Sequence, residues 1–176
     1  ETGCAQRYLA HDALNGIPML FGHDVVHGYR TIFPIPLAEA ASWDLEAVHR
    51  SAEVAAHEAA AGGVHWTFAP MVDIARDARW GRVMEGSGED PYLGARMAVA
   101  RVQGFQGEDL ADLGTIAACV KHYAGYGFAE GGRDYNTVDV SESTLWNVIL
   151  PPFRAAVEAG VATVMNGFNV LGGIPA

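Results

Sequence analysis

Four places along the chain set hydrogen-bonding side chains directly after an apolar, strand-like run. They are His23-Asp24, Asp73, Lys121-His122 and Asn166, following the runs 18–22, 66–72, 116–120 and 161–165. A carboxylate such as Asp24, with Arg30 six residues on, suits hydrogen bonding to a polyhydroxylated ligand. A structural Asp24–Arg30 ion pair is the plainer alternative. Lys121 and His122, side by side at the end of an apolar strand, are costly to bury unless both find partners, which favours a ligand site there. His23 and His27 stand four apart, the spacing of a metal clamp on a helix. Gly28 and the preceding strand argue against helix, and no third ligand is near, so neither metal nor cofactor is expected.

The loop from Asp73 to Pro91 mixes Arg76, Asp77, Arg79, Arg82, Glu85, Glu89 and Asp90 with one tryptophan, Trp80. Charges so interleaved are expected to pair mostly with each other, leaving room for one arginine to fork onto neighbouring hydroxyls. Gly86-Ser87-Gly88 is no nucleophile elbow, because Glu85 stands where that motif has glycine. After Lys121-His122, the pair Gly131-Gly132 allows a tight reversal that could bring Arg133 back over a pocket.

The elements that must position these groups alternate. Between the apolar runs, residues 37–61 are rich in Ala, Glu and Leu, predicting a helix with Trp43, Ala47, Val54 and Ala55 on one face, ended by Gly62-Gly63. A second helix is expected over 91–103 with Asp90 as its cap, and a third over 141–158 broken or kinked at Pro151-Pro152. Apolar strands alternating with helices indicate a parallel sheet covered by helices. A doubly wound sheet and an eight-stranded barrel both suit that order. The first usually carries a glycine-rich phosphate turn after its first strand, and none is present here, so the barrel is favoured. A barrel also collects its strand ends at one rim, which explains the recurrent polar clusters. Strands recur about every 45 to 50 residues, so 176 residues supply about four βα units of eight. The expectation is an α/β fold, a partial (β/α)8 barrel.

Half of the residues are apolar and 18% are charged, as in a globular protein. The net charge of −10 argues against nucleic acid as a partner. Cys4 and Cys119 form no ligand pattern, and no run approaches the roughly 18 apolar residues of a membrane span. Residues 1–8 lack the initiating methionine, basic start and apolar centre of a signal peptide, which leaves targeting open.

Three stretches carry a resemblance: Phe21-Gly-His-Asp24-Val-Val-His-Gly-Tyr-Arg30-Thr-Ile-Phe-Pro34, Arg79-Trp-Gly-Arg82 with Gly88-Glu-Asp-Pro91, and Val120-Lys121-His122-Tyr123 with Gly131-Gly-Arg133-Asp-Tyr-Asn136. In order and spacing, from about Gly16 to Ala176, the chain resembles glycoside hydrolase family 3, and within it the bacterial β-glucosidases. The resemblance implies that residues 1–176 are an incomplete N-terminal catalytic barrel domain followed by a second α/β domain. It implies retaining removal of a terminal β-linked sugar, usually glucose and sometimes xylose, and a periplasmic or secreted location. Asp24, Arg82, Lys121 and His122 correspond to binders of the terminal sugar's hydroxyls. Arg30 and Arg133 match further positions of that subsite, and Met165 falls at a pocket-facing strand end.

Retaining hydrolysis needs two carboxyl groups about 5 to 5.5 Å apart. The resemblance puts the nucleophilic aspartate in a Ser-Asp-Trp or Ser-Asp-Tyr motif after residue 176 and the acid/base later still, so no catalytic residue is expected here. Two alternatives stay open: a non-catalytic carbohydrate-binding fragment, and a β-xylosidase or other exo-glycosidase of the same family. An N-acetylhexosaminidase is disfavoured, because the loop after Lys121-His122 reads Gly131-Gly-Arg-Asp-Tyr-Asn136 in place of a histidine-bearing loop.

Overall fold

The computed structural model describes residues 2–12 and 15–176. Helix α1 (Thr2–His11) precedes strand β1 (Gly22–His23), helices α2 (Pro36–Ser42) and α3 (Leu45–Ala61), and strand β2 (Trp66–Thr67). A 3-10 turn (Gly81–Glu85) leads to α4 (Pro91–Gln106), β3 (Cys119–Tyr123) and β4 (Thr137–Val138). Helix α5 (Glu142–Thr144), a π-turn (Leu145–Ile149) and α6 (Pro151–Glu158) come next, before β5 (Thr163–Asn166), β6 (Val170–Leu171) and β7 (Ile174–Pro175).

β1 pairs in parallel with β2, and β3 with β5. Parallel bridges Trp66–Ala117 and Met71–Lys121 join the two pairs, giving the spatial order β1-β2-β3-β5. Pro70, between β2 and the Met71 bridge, lacks an N–H, yet its carbonyl still accepts from the Lys121 amide. Helices cover one face: Ala52, Ala55, Ala56 and Ala59 of α3, Val102 and Phe105 of α4, and Phe153 and Ala156 of α6 pack with Val72, Ala118 and Val120. The alanines let α3 lie close to α4. Sequential parallel strands with helices on the outer face make this a partial α/β barrel, the architecture expected from the alternation. β4 pairs with β6 in parallel and β6 with β7 antiparallel in a small separate sheet.

The helices differ in detail from their sequence reading. The expected helix over 37–61 is two, because Trp43 adopts φ 60°, ψ 13° and Asp44 restarts the chain by accepting the Ala47 amide at 3.0 Å. That break removes Trp43 and Ala47 from the buried face; Trp43 is exposed, and Val48 joins Ala52, Ala55, Ala56 and Ala59 instead. Asp90 does cap α4, accepting the Leu93 amide at 2.7 Å. The stretch over 141–158 is divided ahead of Pro151, where a π-turn accommodates the missing N–H groups. Gln106, buried at the end of α4, accepts from the Ala118 and Ala162 amides at 3.1 and 2.9 Å and donates to the Gly160 carbonyl. One side chain thereby sets the entry points of β3 and β5 relative to each other.

Candidate functional site: a polar rim at the strand ends

The site is built outward from β3. Lys121 sits between β2 and β5, opposite Met71 on one side and Met165 on the other, and is almost fully buried. A buried ammonium needs partners, and its Nζ donates to Asp24 Oδ1 at 3.0 Å with Glu85 Oε2 at 3.9 Å. Asp24 follows β1, on a backbone held in two ways. The Val25 amide donates to the buried Thr67 hydroxyl at 3.1 Å, and Arg101 Nη1 donates to the Val26 carbonyl at 2.9 Å. Arg101 is itself anchored by an ion pair with Glu39 of α2, both side chains being buried. Further along the loop, Glu58 of α3 accepts the Arg30 and Thr31 amides, both at 2.8 Å.

Arg82 comes from the 3-10 turn, whose geometry brings residues i and i+3 together. Glu85 takes its guanidinium in a fork, Nε at 2.6 Å and Nη2 at 2.8 Å, raising it further above its ordinary value. The guanidinium also lies over the Tyr126 ring, 5.6 Å from its centroid. Glu85 thus ties Arg82 to Lys121, and Lys121 to Asp24, in one continuous charged string. The carboxylates and cations of this string alternate, and Asp24 stays open to solvent with its side chain 60% exposed.

His122 turns to a second carboxylate. Asp73 Oδ2 accepts from the backbone amide of His122 at 3.0 Å and lies 2.8 Å from its Nδ1, and both side chains are sealed. Burial pushes the Asp73 carboxyl up from its ordinary range, while the hydrogen bonds from His122 and the charge of Arg82 pull the other way. Tyr126 meets the His122 ring edge-on at 5.0 Å, and Phe168 lies at 5.5 Å. Burial also pushes the Tyr126 phenol up to about 12. Among the described residues, Asp73 Oδ1, His122 Nε2, Tyr126 Oη and Asn169 Oδ1 are buried without hydrogen-bond partners. Four such atoms make this the least satisfied polar region of the core.

Of the residues singled out from sequence, Asp24, Arg82 and Lys121 converge, with Met165 beside Lys121 on β5. His122 is adjacent but engaged with Asp73. The Asp24–Arg30 ion pair is not formed: Asp24 takes Lys121, and Arg30 is exposed. Arg133 is exposed too, its Nε directed to the Glu130 carbonyl of its own loop at 3.4 Å. Gly131 and Gly132 do make the expected reversal, with φ of 66° and 69°, and a Cβ on Gly132 would stand 2.8 Å from the Trp80 nitrogen. Trp80 in turn donates from Nε1 to Asp134 at 2.6 Å, locking the two long loops together. Arg79 pairs with Asp77 as the mixed-charge loop predicts, holding that carboxyl down at about 2. No cluster of three or more His, Cys, Asp or Glu suited to a metal occurs among the described residues. Sequence reasoning noted Asp73 and Glu85 without giving them partners; the signal for Glu85 was its i+3 spacing from Arg82.

Such a string can hold several hydroxyls of one ring: a carboxylate accepts from two, and the ammonium and guanidinium donate to others. Known proteins carry the same framework. Residues 3–176 match the glycosyl hydrolase family 3 N-terminal domain. The chain is 49% identical over 160 residues to a periplasmic beta-glucosidase of Salmonella typhimurium, covering 91% of this chain and 21% of that protein. It is 41% identical over 168 residues to a beta-xylosidase of Formosa agariphila, covering 93% of this chain and 23% of that one. The crystal structure of a beta-glucosidase from Listeria innocua in complex with glucose superposes with a TM-score of 0.93 at 51% identity, over 99% of this chain and 24% of the other. The chain therefore spans about a fifth to a quarter of the length of these relatives.

Proposed function

The chain belongs to glycosyl hydrolase family 3, and from that premise we propose that it is the sugar-binding part of a retaining β-glucosidase that removes terminal, non-reducing β-D-glucosyl residues. The observation that carries the reading is the convergence of Asp24, Lys121 and Arg82 at the strand ends, with the Asp24 carboxylate left open. In this reading Asp24 accepts from two neighbouring hydroxyls while Lys121 and Arg82 donate to others, and His122, sealed against Asp73, supports the set from behind. Arg30 and Arg133 would approach only from the periphery. Contacts of this kind fix the ring so that binding energy is expressed at the reacting carbon. The nucleophile and acid/base are supplied by sequence beyond residue 176, together with the rest of the barrel and a second domain. Residues 1–176 are accordingly an incomplete N-terminal barrel domain, inactive alone. A periplasmic location follows the Salmonella relative; among the described residues no helix is long and apolar enough to cross a membrane.

The test is kinetic, on the full-length protein with an aryl β-glucoside. Asp24→Ala and Lys121→Ala should each lower kcat/KM steeply, and near-wild-type values in both would reject the reading. A β-xylosidase is the second reading, favoured by the identity to the Formosa protein. A kcat/KM for the aryl β-xyloside above that for the glucoside would select it.

A further inference from the structure

We propose that Asp73 is a positioning residue that fixes His122 with Nδ1 as donor and Nε2 unprotonated, so that the ring is held in one orientation behind Lys121 at the rim. Asp73 Oδ2 already receives the backbone N–H of His122, an obligatory donor, so that oxygen must act as an acceptor. The imidazole Nδ1 reaches the same atom at 2.8 Å, the distance of a charge-assisted hydrogen bond. The opposite proton arrangement would put a hydrogen on Nε2, which is buried and has no partner among the described residues. An orphaned buried donor is rarer than an orphaned acceptor. Tyr126 and Phe168 confine the ring from its sides, so the tautomer and the orientation are set together. Asp73 Oδ1 has no partner, which marks Oδ2 as the working atom. The consequence for sugar binding rests on the glucosidase reading; the tautomer itself does not.

The experiment is two-bond proton–nitrogen correlation on the full-length protein labelled with 15N-histidine, near neutral pH, with the His122 signals assigned by their loss in His122→Gln. The expected result is a protonated Nδ1 and an unprotonated Nε2. Asp73→Asn should keep this pattern, because the backbone amide of His122 holds the new carboxamide oxygen in place of Oδ2. Asp73→Ala should move the proton to Nε2 and lower kcat/KM for an aryl β-glucoside by about 10-fold, as for the loss of about one hydrogen bond, while Asp73→Asn restores most of that loss. A protonated Nε2 in the neutral wild-type ring, or in Asp73→Asn, overturns the proposal. So does an Asp73→Ala protein with Nδ1 still protonated. If Asp73→Ala does not fold, the other two spectra decide. If the tautomer is as expected but the wild-type protein turns over neither the aryl β-glucoside nor the xyloside, the enzymatic reading falls and the positioning stands.

Discussion

Lys121 and His122 are neighbours on one strand, and each meets a carboxylate, but the two pairs are built differently. Lys121 is 4% exposed and its partner Asp24 is 60% exposed; His122 and Asp73 are each 1% exposed. An exposed carboxylate loses little hydration on pairing, and its buried ammonium partner keeps a second carboxylate, Glu85, at 3.9 Å. Asp24 can therefore exchange its solvent for a ligand without disturbing the fold. The sealed pair has no such freedom, since removing one partner strands the other in the core. One rim thus holds an exchangeable contact and a fixed one, a single residue apart. Binding is expected to reside in the first and geometry in the second.

The largest effect that would test this division is on turnover. In the full-length protein, Asp24→Ala should lower kcat/KM for the preferred aryl glycoside by roughly 100-fold, the loss of about 3 kcal/mol in charged hydrogen bonds to hydroxyls. Its unfolding free energy should fall by about 1 to 2 kcal/mol, less than for the sealed pair, since water can replace the exposed carboxylate and Glu85 remains near Lys121. Denaturant titration showing a larger drop would mean that Asp24 is structural, and the comparison would collapse. The sealed pair predicts the reverse weighting. Asp73→Ala should cost about 2 to 3 kcal/mol of stability by denaturant titration, because two donors of His122 lose their acceptor at once. An unchanged midpoint would place water, not Asp73, as the partner His122 depends on.

Between these extremes lies Arg82. Lysine keeps the charge but not the fork that Glu85 grips at two nitrogens. Arg82→Lys should lower kcat/KM about 10-fold, worth about 1.4 kcal/mol, with stability little changed. Equal activity in the two proteins would show that Arg82 acts as a point charge and that its planar geometry is incidental.

Much of this was legible in the residues. Strand and helix order followed from apolar runs alternating with helical composition, and Asp90 before Pro91 marked the start of α4. The break at Trp43 was not read, because alanine-rich sequence on both sides masks it; the available signal was Asp44, a good N-cap inside an apparent helix. In the site, Asp24 and Lys121 stood out as charges at strand ends, and their meeting follows once β1 and β3 flank β2. The Asp73–His122 bond joins residues 49 apart, and nothing local announces it. Arg30 and Arg133 differ again: polar residues near the rim in sequence that the loops leave facing solvent.

Tyr126 gives the smallest and most selective test, because it packs against both halves of the rim without a hydrogen bond of its own. Its ring touches the Arg82 guanidinium on one side and the His122 ring on the other, while its hydroxyl is buried and unpartnered. Removing an unsatisfied hydroxyl while keeping the ring is neutral or favourable, so Tyr126→Phe should match or exceed wild-type stability at neutral pH by up to about 1 kcal/mol. Burial, helped by the Asp134 carboxylate and opposed by Arg82, raises the phenol from an ordinary value near 10 to about 12 in the folded state. Between those two pH values the unfolded chain releases this proton and the folded one retains it, so stability falls as pH rises, by at most about 1.4 kcal/mol per unit. Below the lower value the contribution is fully present. The Tyr126→Phe protein lacks that proton, so the difference between the two stability curves should be flat up to pH 10 and then widen in favour of the variant. A constant difference through pH 12 would mean that the phenol is neither sealed from water nor faced by Asp134 in solution. The closed half of the rim would then be less closed than the Asp73–His122 pair implies.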